Sequence, residues 1–567
     1  MQKKWILKAA PALQCGELLM PGLHPYVSAI LSARGISSPD DADKFLHPAL
    51  SGMLDPFMLK GMEGAVERLL RALHASEKIC VYGDYDVDGI TSTTLLVTFL
   101  RKTGFDCFYY IPDRFREGYG LNPGAIESII ALGARVIISV DCGITSVEES
   151  ELCKKNGVAL IIVDHHQPGT AIPDAESVIN PLQPGCSYPF KLLAGVGLVF
   201  NLLAALRKRM REASLFRSDE PDLRDLLYLV AIGTIADIVP LTGQNRMFTF
   251  HGLRSLSSNA SPGIIALRKV AGINGKITSG AVGFRLAPRL NAGGRMESAL
   301  PGVELLLSDD ILESDRLAGE LDIANAERQS IEARIFREAT AMLEESGRYP
   351  ACRSILLASP EWHQGVVGIV ASRMVERYHR PVILAAVDAN GVARGSGRSI
   401  PGFHLLEGLA ACGDFLVRYG GHKYAAGVSF NIEIIDELAA AFERAVSNSL
   451  SEEELTPLLD IDMEASPDDL TDRLAIDLAG LAPFGAGNRE PVFLMRKVNI
   501  VAKRSFGENH LRLRLSKGGR IFPSVAFRMG ESKIEGEIDI VFFPELNEWN
   551  GNSTLQLRII DFRPSAD

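Results

Sequence analysis

Residues 78–89, KICVYGDYDVDG, decide the fold. The run 78–83 is short, apolar and rich in β-formers. Asp84, Asp86 and Asp88 follow at once, then Gly89 and a helical pattern from about Thr91. Two later stretches repeat the plan. RVIISV (135–140) leads into Asp141, and VALIIV (158–163) leads into Asp164, His165 and His166. Runs apolar on both faces, each followed by a turn and a helical pattern, predict buried parallel strands in a doubly wound α/β sheet. Such sheets bind ligands at the carboxyl ends of their strands, where these acidic and imidazole residues fall.

Alternate carboxylates on an extended turn point to one side and repel, and a bound cation relieves that repulsion. An EF-hand does not fit, because the flanks are strand then helix and no Glu takes the twelfth position. AIGTIADIVPL (231–241) adds Asp237 after an apolar segment. Taken alone, Asp84, Asp86 and Asp88 read equally well as an exposed acidic turn, and Asp141, Asp164, His165 and His166 read better as a capping Asp or satisfied histidines. Together they bring carboxylates and imidazoles to one sheet edge. Oxygen-rich sites with one or two imidazoles suit Mn²⁺ or Mg²⁺ better than zinc. There are ligands enough for two ions, and a pair about 3.5–4 Å apart suits phosphoryl displacement. No Walker A, HExxH or GxSxG pattern competes for the role.

Outward from this core, 567 residues predict three or four domains at about 150 residues each. Hydrophobic residues make up 47% and charged residues 23%, which excludes extensive disorder. Residues 1–75 read as helical. Residues 76–250 hold the α/β pattern, and 251–346 are helical. A Pro-free pattern from Asp309 to Ser346 predicts one long connector helix, or two with Gly319 as the weak point. A smaller α/β pattern fills 347–450, with SILLAS and PVILAAV as strands, and 455–567 is β-rich. The eight cysteines form no CxxC pair, so neither a zinc site nor a disulfide framework is expected. Lys8 breaks the only apolar stretch near the start, and Leu192 to Leu206 is too short for a membrane span. A cytoplasmic, non-membrane protein is expected.

The net charge of −11 argues at first against a nucleic-acid partner. It is an average over opposed regions. Residues 452–477 hold ten acidic residues and one basic residue, whereas 496–528 hold nine basic residues and one acid. HLRLRL (510–515) alternates, placing Arg512 and Arg514 on one strand face. On a five-stranded barrel that face suits single-strand binding through backbone charge and stacked aromatics. Phe506, Phe522 and Phe527 lie nearby, some of them necessarily in the core.

GDYDVDG, SVDCG, VDHHQ and GTIAD, in this order, resemble the four motifs of the DHH phosphoesterase superfamily. GGHKYAAG (420–427) is similar to the signature of the associated DHHA1 domain, and LAPFGAGNREPVF (481–493) opens the last domain. Nearly the whole chain resembles the RecJ family of bacterial single-strand-specific DNA exonucleases. The resemblance implies a catalytic DHH domain, a DHHA1 lobe closing the other side of a groove, and a C-terminal OB-fold. It also implies two divalent cations, Mn²⁺ or Mg²⁺. Asp86, Asp88, Asp141, His165 and Asp237 match the ligand positions, and Asp84 matches a further carboxylate. His166 matches the histidine facing the scissile phosphate, with Asp164 orienting an imidazole. PDRFREGYG (112–120) resembles the substrate loop, with Arg114 at the 5′ end and Tyr119 stacking on a base. PRLNAGGR (288–295) places Arg289 and Arg295 near the nucleic acid. ARGSGRS (393–399) reads as a Gly-rich loop in which Ser396 and Arg398 hold the 5′-phosphate, with His422 at a close approach.

The function so implied is 5′→3′ hydrolysis of single-stranded DNA to 5′-mononucleotides in recombination and repair. The implied partners are single-strand-binding protein and a RecQ-type helicase, and the implied state is a monomer. Two other readings stay open: a DHH hydrolase of short oligonucleotides, and a non-catalytic DNA-binding scaffold. Activity on long single strands against dinucleotides separates them.

Overall fold

In the computed structural model the described residues are 3–8, 20, 22–216, 219–530, 535–549 and 552–565. Cys15 and part of the N-terminal segment lie outside them. The seven described cysteines are free. No described helix is long and apolar enough to cross a membrane.

The three strands read from the sequence form at Ile79–Tyr82, Val136–Val140 and Ala159–Val163. Cys107–Tyr110 and Ser177–Ile179 join them as edge strands. All five run parallel. Counted along the chain their order is 2-1-3-4-5. The sheet is therefore doubly wound, and its switch point lies between Ile79–Tyr82 and Val136–Val140, where ligands bind in such sheets. The central strands are buried because the chain alternates strand with helix and covers both faces. The apolar run near 192–206 becomes the helix Gly195–Glu212, buried through most of its length.

The first 75 residues divide between two cores. The helix Met62–Ala75 lies against the parallel sheet, where Ser177 donates to the Gly61 carbonyl. Tyr26, Val27, Ile30 and Leu31 of the helix Pro25–Ala33 instead share a core with Leu474, Phe493 and Leu511. The segment also contains a strand, Lys4–Leu7, paired with Leu458–Ile461.

The C-terminal barrel closes through five strands: Phe493–Phe506, His510–Lys517, Arg520–Phe527, Asn552–Pro564 and Glu537–Trp549, the last pairing back to the first. Met463–Glu464 is appended at its edge. Closure leaves few free strand edges, as expected of an OB-type barrel.

A second compact unit spans 319–459 with 292–298. Its five-stranded sheet includes Ile355–Ser359, Val382–Val387 and Val392–Arg398. The long helix is continuous from Ile311 to Glu345, 35 residues and so about 52 Å at ~1.5 Å per residue. Gly319 does not break it, and a side chain there would meet open space.

The stretch ARGSGRS departs from expectation. It is not a loop but the strand Val392–Arg398, paired on both sides. Its glycines are there for packing: a Cβ on Gly397 would come within 2.9 Å of Leu405. The strand's amides belong to its ladders, so only its side chains remain to hold an anion.

Candidate active site

The carboxyl ends of the three central strands converge as the sequence implies, but the local geometry differs. The helix after the first strand begins at Val87, not near Thr91. Asp86 is its N-cap, accepting from the amides of Asp88 (2.9 Å) and Gly89 (3.1 Å). Asp88 therefore stands on the first helical turn rather than on an extended turn. Its carboxylate accepts in turn from the Gly195 amide (2.7 Å) and the Val196 amide (3.0 Å), at the N-terminus of the helix Gly195–Glu212. A Cβ on Gly195 would lie 2.8 Å from Asp141 Oδ1 and 3.0 Å from Asp88 Oδ2, so only glycine admits both carboxylates.

Asp141 follows its strand with φ +62°, a left-handed conformation that Asp tolerates better than most residues. His165 Nε2 lies 3.2 Å from Asp141, 3.5 Å from Asp237 and 3.9 Å from Asp88. Asp237 caps the C-terminus of the buried helix Leu227–Ala236. Three overlapping groups bring ligand atoms within 4.8 Å of one another: Asp84, Asp86 and Asp141; Asp88, His165 and Asp237; Asp141, His165 and His166.

The donor set fits divalent cations. Asp84 Oδ1, Asp141 Oδ1, His165 Nε2 and Asp237 Oδ2 are buried without a hydrogen-bond partner, a costly arrangement unless a cation satisfies them. His165 bonds to the Leu193 backbone through its other ring nitrogen, which leaves Nε2 as a lone-pair donor.

Burial, and then repulsion among the carboxylates, hold Asp84, Asp141 and Asp237 well above the usual carboxylate range. Burial and the Asp86 charge push Asp88 up to about 7, against the two amides that favour its ionised form. Burial and the neighbouring His166 lower His165 to about 4.

His166 is the opposite case. Burial alone would lower it, but the Asp164 hydrogen bond and charge outweigh burial and lift it to about 9. Asp164 Oδ1 meets His166 Nδ1 at 2.7 Å and also accepts the His166 amide, while Oδ2 accepts the Ile144 amide at 2.9 Å. Asp164 thus spends its oxygens on orientation, and it belongs to none of the three ligand groups.

Tyr119 is 52% exposed beside this pair, its hydroxyl 3.1 Å from His166 Nδ1 and its ring edge-on to the imidazole. The Arg114 guanidinium covers the Tyr85 ring at 5.0 Å. Arg289 donates to the carbonyls of Arg285 and Val270. Arg295, on the same helix, falls in the other compact unit and donates to the Gly365 carbonyl. In that unit Arg398 donates to Ser396 Oγ at 2.8 Å, and both point to the strand face that Arg394 shares. His422 is exposed in the hairpin turn, its amide bonded to the Ala425 carbonyl.

On the barrel Arg512 and Arg514 both face outward, alternating with buried Leu511, Leu513 and Leu515. Arg504 stands directly across the ladder from Arg512. Phe506 and Phe527 form a cluster with His510 and the Arg512 guanidinium, whereas Phe522 is core. Two of the nine basic residues serve the fold. Arg520 anchors the carbonyls of Pro467 and Leu470, and Arg496 pairs with Glu464.

Sequence reading missed the amides of Gly195 and Val196 and the carbonyl of Leu193. The signal was the small-residue step Ala194-Gly195-Val196-Gly197 opening an apolar helix, which reads locally as core.

Three family models match the chain: the DHH family N-terminal domain over residues 78–234, the DHHA1 domain over 352–448 and the RecJ OB domain over 461–561. The single-stranded-DNA-specific exonuclease RecJ of Bacillus subtilis is 40% identical over 95% of this chain and 68% of its own length. That of Escherichia coli is 37% identical over 96% of each. The crystal structure of RecJ from Thermus thermophilus in complex with Mn²⁺ superposes with a TM-score of 0.84 at 32% identity, covering all of this chain and 80% of that one. A Mg²⁺ complex from the same organism gives 0.79 at 30% identity, covering 100% and 79%. With a parallel sheet, a mixed α/β lobe and a closed barrel in the same order, the chain belongs to the RecJ family of the DHH phosphoesterases.

Proposed function

We propose that the chain is a metal-dependent exonuclease that hydrolyses single-stranded DNA from its 5′ end and releases 5′-mononucleotides in recombination and repair. The observation that carries this reading is the set of four buried, unpartnered ligand atoms on Asp84, Asp141, His165 and Asp237 at the switch point of the sheet. Asp84, Asp86, Asp88, Asp141, His165 and Asp237 hold two divalent cations, Mn²⁺ or Mg²⁺. When bound, such ions polarise the phosphate and neutralise charge developing on its oxygens.

The chain's own residues do the rest. The amides of Gly195 and Val196 fix Asp88, and the Leu193 backbone fixes the His165 tautomer. In the metal-free chain the Asp164 bond and charge, with the charges of Asp237 and Asp86, lift His166 to about 9 against its burial. With Nδ1 committed to Asp164, its Nε2–H is free to donate to a phosphate oxygen as the 3′-oxygen of the terminal nucleotide departs. Tyr119 offers an exposed ring to a base, and Arg114 a cation beside the site. Arg289 and Arg295 contact the DNA backbone. In the DHHA1 lobe Ser396, Arg398 and His422 take the 5′-phosphate, which sets polarity. Arg512 and Arg514 bind the strand on the barrel. The chain acts as a cytoplasmic monomer on strands exposed by a RecQ-type helicase and coated by single-strand-binding protein.

The test is hydrolysis of single-stranded DNA labelled at either end, with duplex and RNA controls. Early release of a 5′-label as mononucleotide is expected; early release of a 3′-label would sink the reading.

A further inference from the structure

The segment LAPFGAGNREP (481–491), which leads into the barrel, bonds to Leu241, four residues beyond Asp237, and to Arg246 and Ser279. The Ala486 carbonyl accepts the Leu241 amide at 2.7 Å. The Phe484 carbonyl accepts Ser279 Oγ at 2.6 Å, where the helical stretch leading to Arg289 begins. Arg246 donates to the carbonyls of Leu481 (3.0 Å) and Ala482 (2.9 Å) and to that of Phe45. Asn488 ties the segment's own turn by donating to Leu481 and Pro483, and Arg34 holds Asn488 and the Arg489 carbonyl from the other side.

The turn thus gripped is Asp237-Ile238-Val239-Pro240-Leu241. Ile238 has φ +61° and is 74% exposed. A β-branched residue in the left-handed region is a rare, strained conformation that persists only where the surroundings impose it. Packing around Ile238 cannot supply that restraint, because its side chain is in solvent. The restraint comes from the residues on either side. Ahead of it the Asp237 amide bonds to Gly233 at 2.9 Å. Behind it Pro240 and Leu241 lie against the segment. Gly487 has φ +69°, and a Cβ there would come within 2.9 Å of Pro240 Cβ.

We infer that residues 481–488 act as a positioning strap that holds the Asp237 carboxylate in metal-binding geometry, so that the barrel-side segment is needed for cation affinity as well as for binding DNA. The inference rests on the reading of Asp237 as a ligand. Disturbing the support of a metal ligand typically lowers metal affinity about 10–100-fold.

The test is titration of the full chain with Mn²⁺ alone, without DNA, reading free Mn²⁺ by electron paramagnetic resonance. Gly487→Ala should weaken binding about tenfold, and Asp237→Asn at least as much. Gly485→Ala, whose Cβ would come within 2.7 Å of the buried Leu241 side chain in the same turn, should shift affinity in the same direction. Arg512→Ala with Arg514→Ala should leave Mn²⁺ affinity at the parent value while weakening DNA binding. Thermal melting in chelator reports whether each variant folds. If Gly487→Ala does not fold, Ser279→Ala, which removes one strap bond, should shift affinity in the same direction by a smaller factor. Should Asp237→Asn weaken binding while the folded strap variants match the parent, the strap is overturned and the ligand reading stands. Parent affinity in Asp237→Asn overturns both.

Discussion

Asp164 and Asp88 are both buried carboxylates at strand ends, yet their surroundings give them opposite tasks. Asp164 has a hydrogen-bond donor for each oxygen and sits below the usual range: burial pushes it up, but the His166 bond and charge, the His165 charge and the Ile144 amide together outweigh burial. Asp88 sits near 7, because burial and Asp86 outweigh two amides. Replacing His166 by Ala should cut the cleavage rate by about 10²–10⁴-fold. Mn²⁺ binding should be largely kept, as measured by single-turnover kinetics beside metal titration. Asp164→Asn should lower the same rate by freeing the ring. Equal rates in parent and variants would show that the imidazole faces no phosphate.

The raised carboxyls also predict a pH effect. In the metal-free chain Asp88 binds its proton more tightly folded than unfolded. Its contribution to stability is full below the unfolded carboxylate range and is lost as pH rises through about 7. With chelator present, the melting temperature should fall from pH 6 to pH 8, and Asp88→Asn should flatten that slope. Metal binding displaces the same protons, so the gain in melting temperature on adding Mn²⁺ should be larger at pH 8. A gain independent of pH would contradict this.

Among the elements, hydrophobic periodicity and turn chemistry differ in how well they can be read. The strand at 510–517 alternates without exception through Leu511–Leu515, and its outward arginines follow from the two-residue period alone. The run 393–399 misleads, because glycine is ordinarily a turn signal, whereas here Gly395 is small beside Ala385 and Val428, and Gly397 beside Leu405. The helix start at Val87 was likewise hidden: Asp86 looks like one ligand among three until its oxygen is seen to cap two amides.

The basic barrel face divides in the same way. Replacing Arg512 and Arg514 by Ala should reduce the salt dependence of single-strand affinity by about 0.7 in log–log slope for each phosphate left without its cation. Arg520→Ala, which removes bonds to Pro467 and Leu470, should instead lower the melting temperature with less change in that slope. Binding isotherms at several salt concentrations, together with thermal melts, separate the two.

Over the molecule as a whole, the −11 net charge is an average over regions of opposite sign. The acidic residues of 452–477 lie beside the basic run 496–528 in sequence, and part of each neutralises the other, as in the Arg496–Glu464 pair. The N-terminal helix and the barrel share one core, so removing residues 20–46 should unfold the barrel and not merely shorten the chain. Loss of its cooperative transition in calorimetry is the expected result. A transition kept at the parent temperature would contradict the shared core.

The chemistry of the site is written in the order of the residues. Strand-length apolar runs must be buried, and the polar residues that end them must then gather at one edge, so the carboxylates and imidazoles were legible from the chain alone. Folding in three dimensions settles which of their atoms remain unpartnered, which carboxylate orients a ring, and what grips the turn behind Asp237. Those outcomes depend on bonds such as Arg34 to Asn488, 454 residues apart, and Arg246 to Leu481, 235 apart. Local periodicity carries no record of them, because they join residues far apart in the sequence.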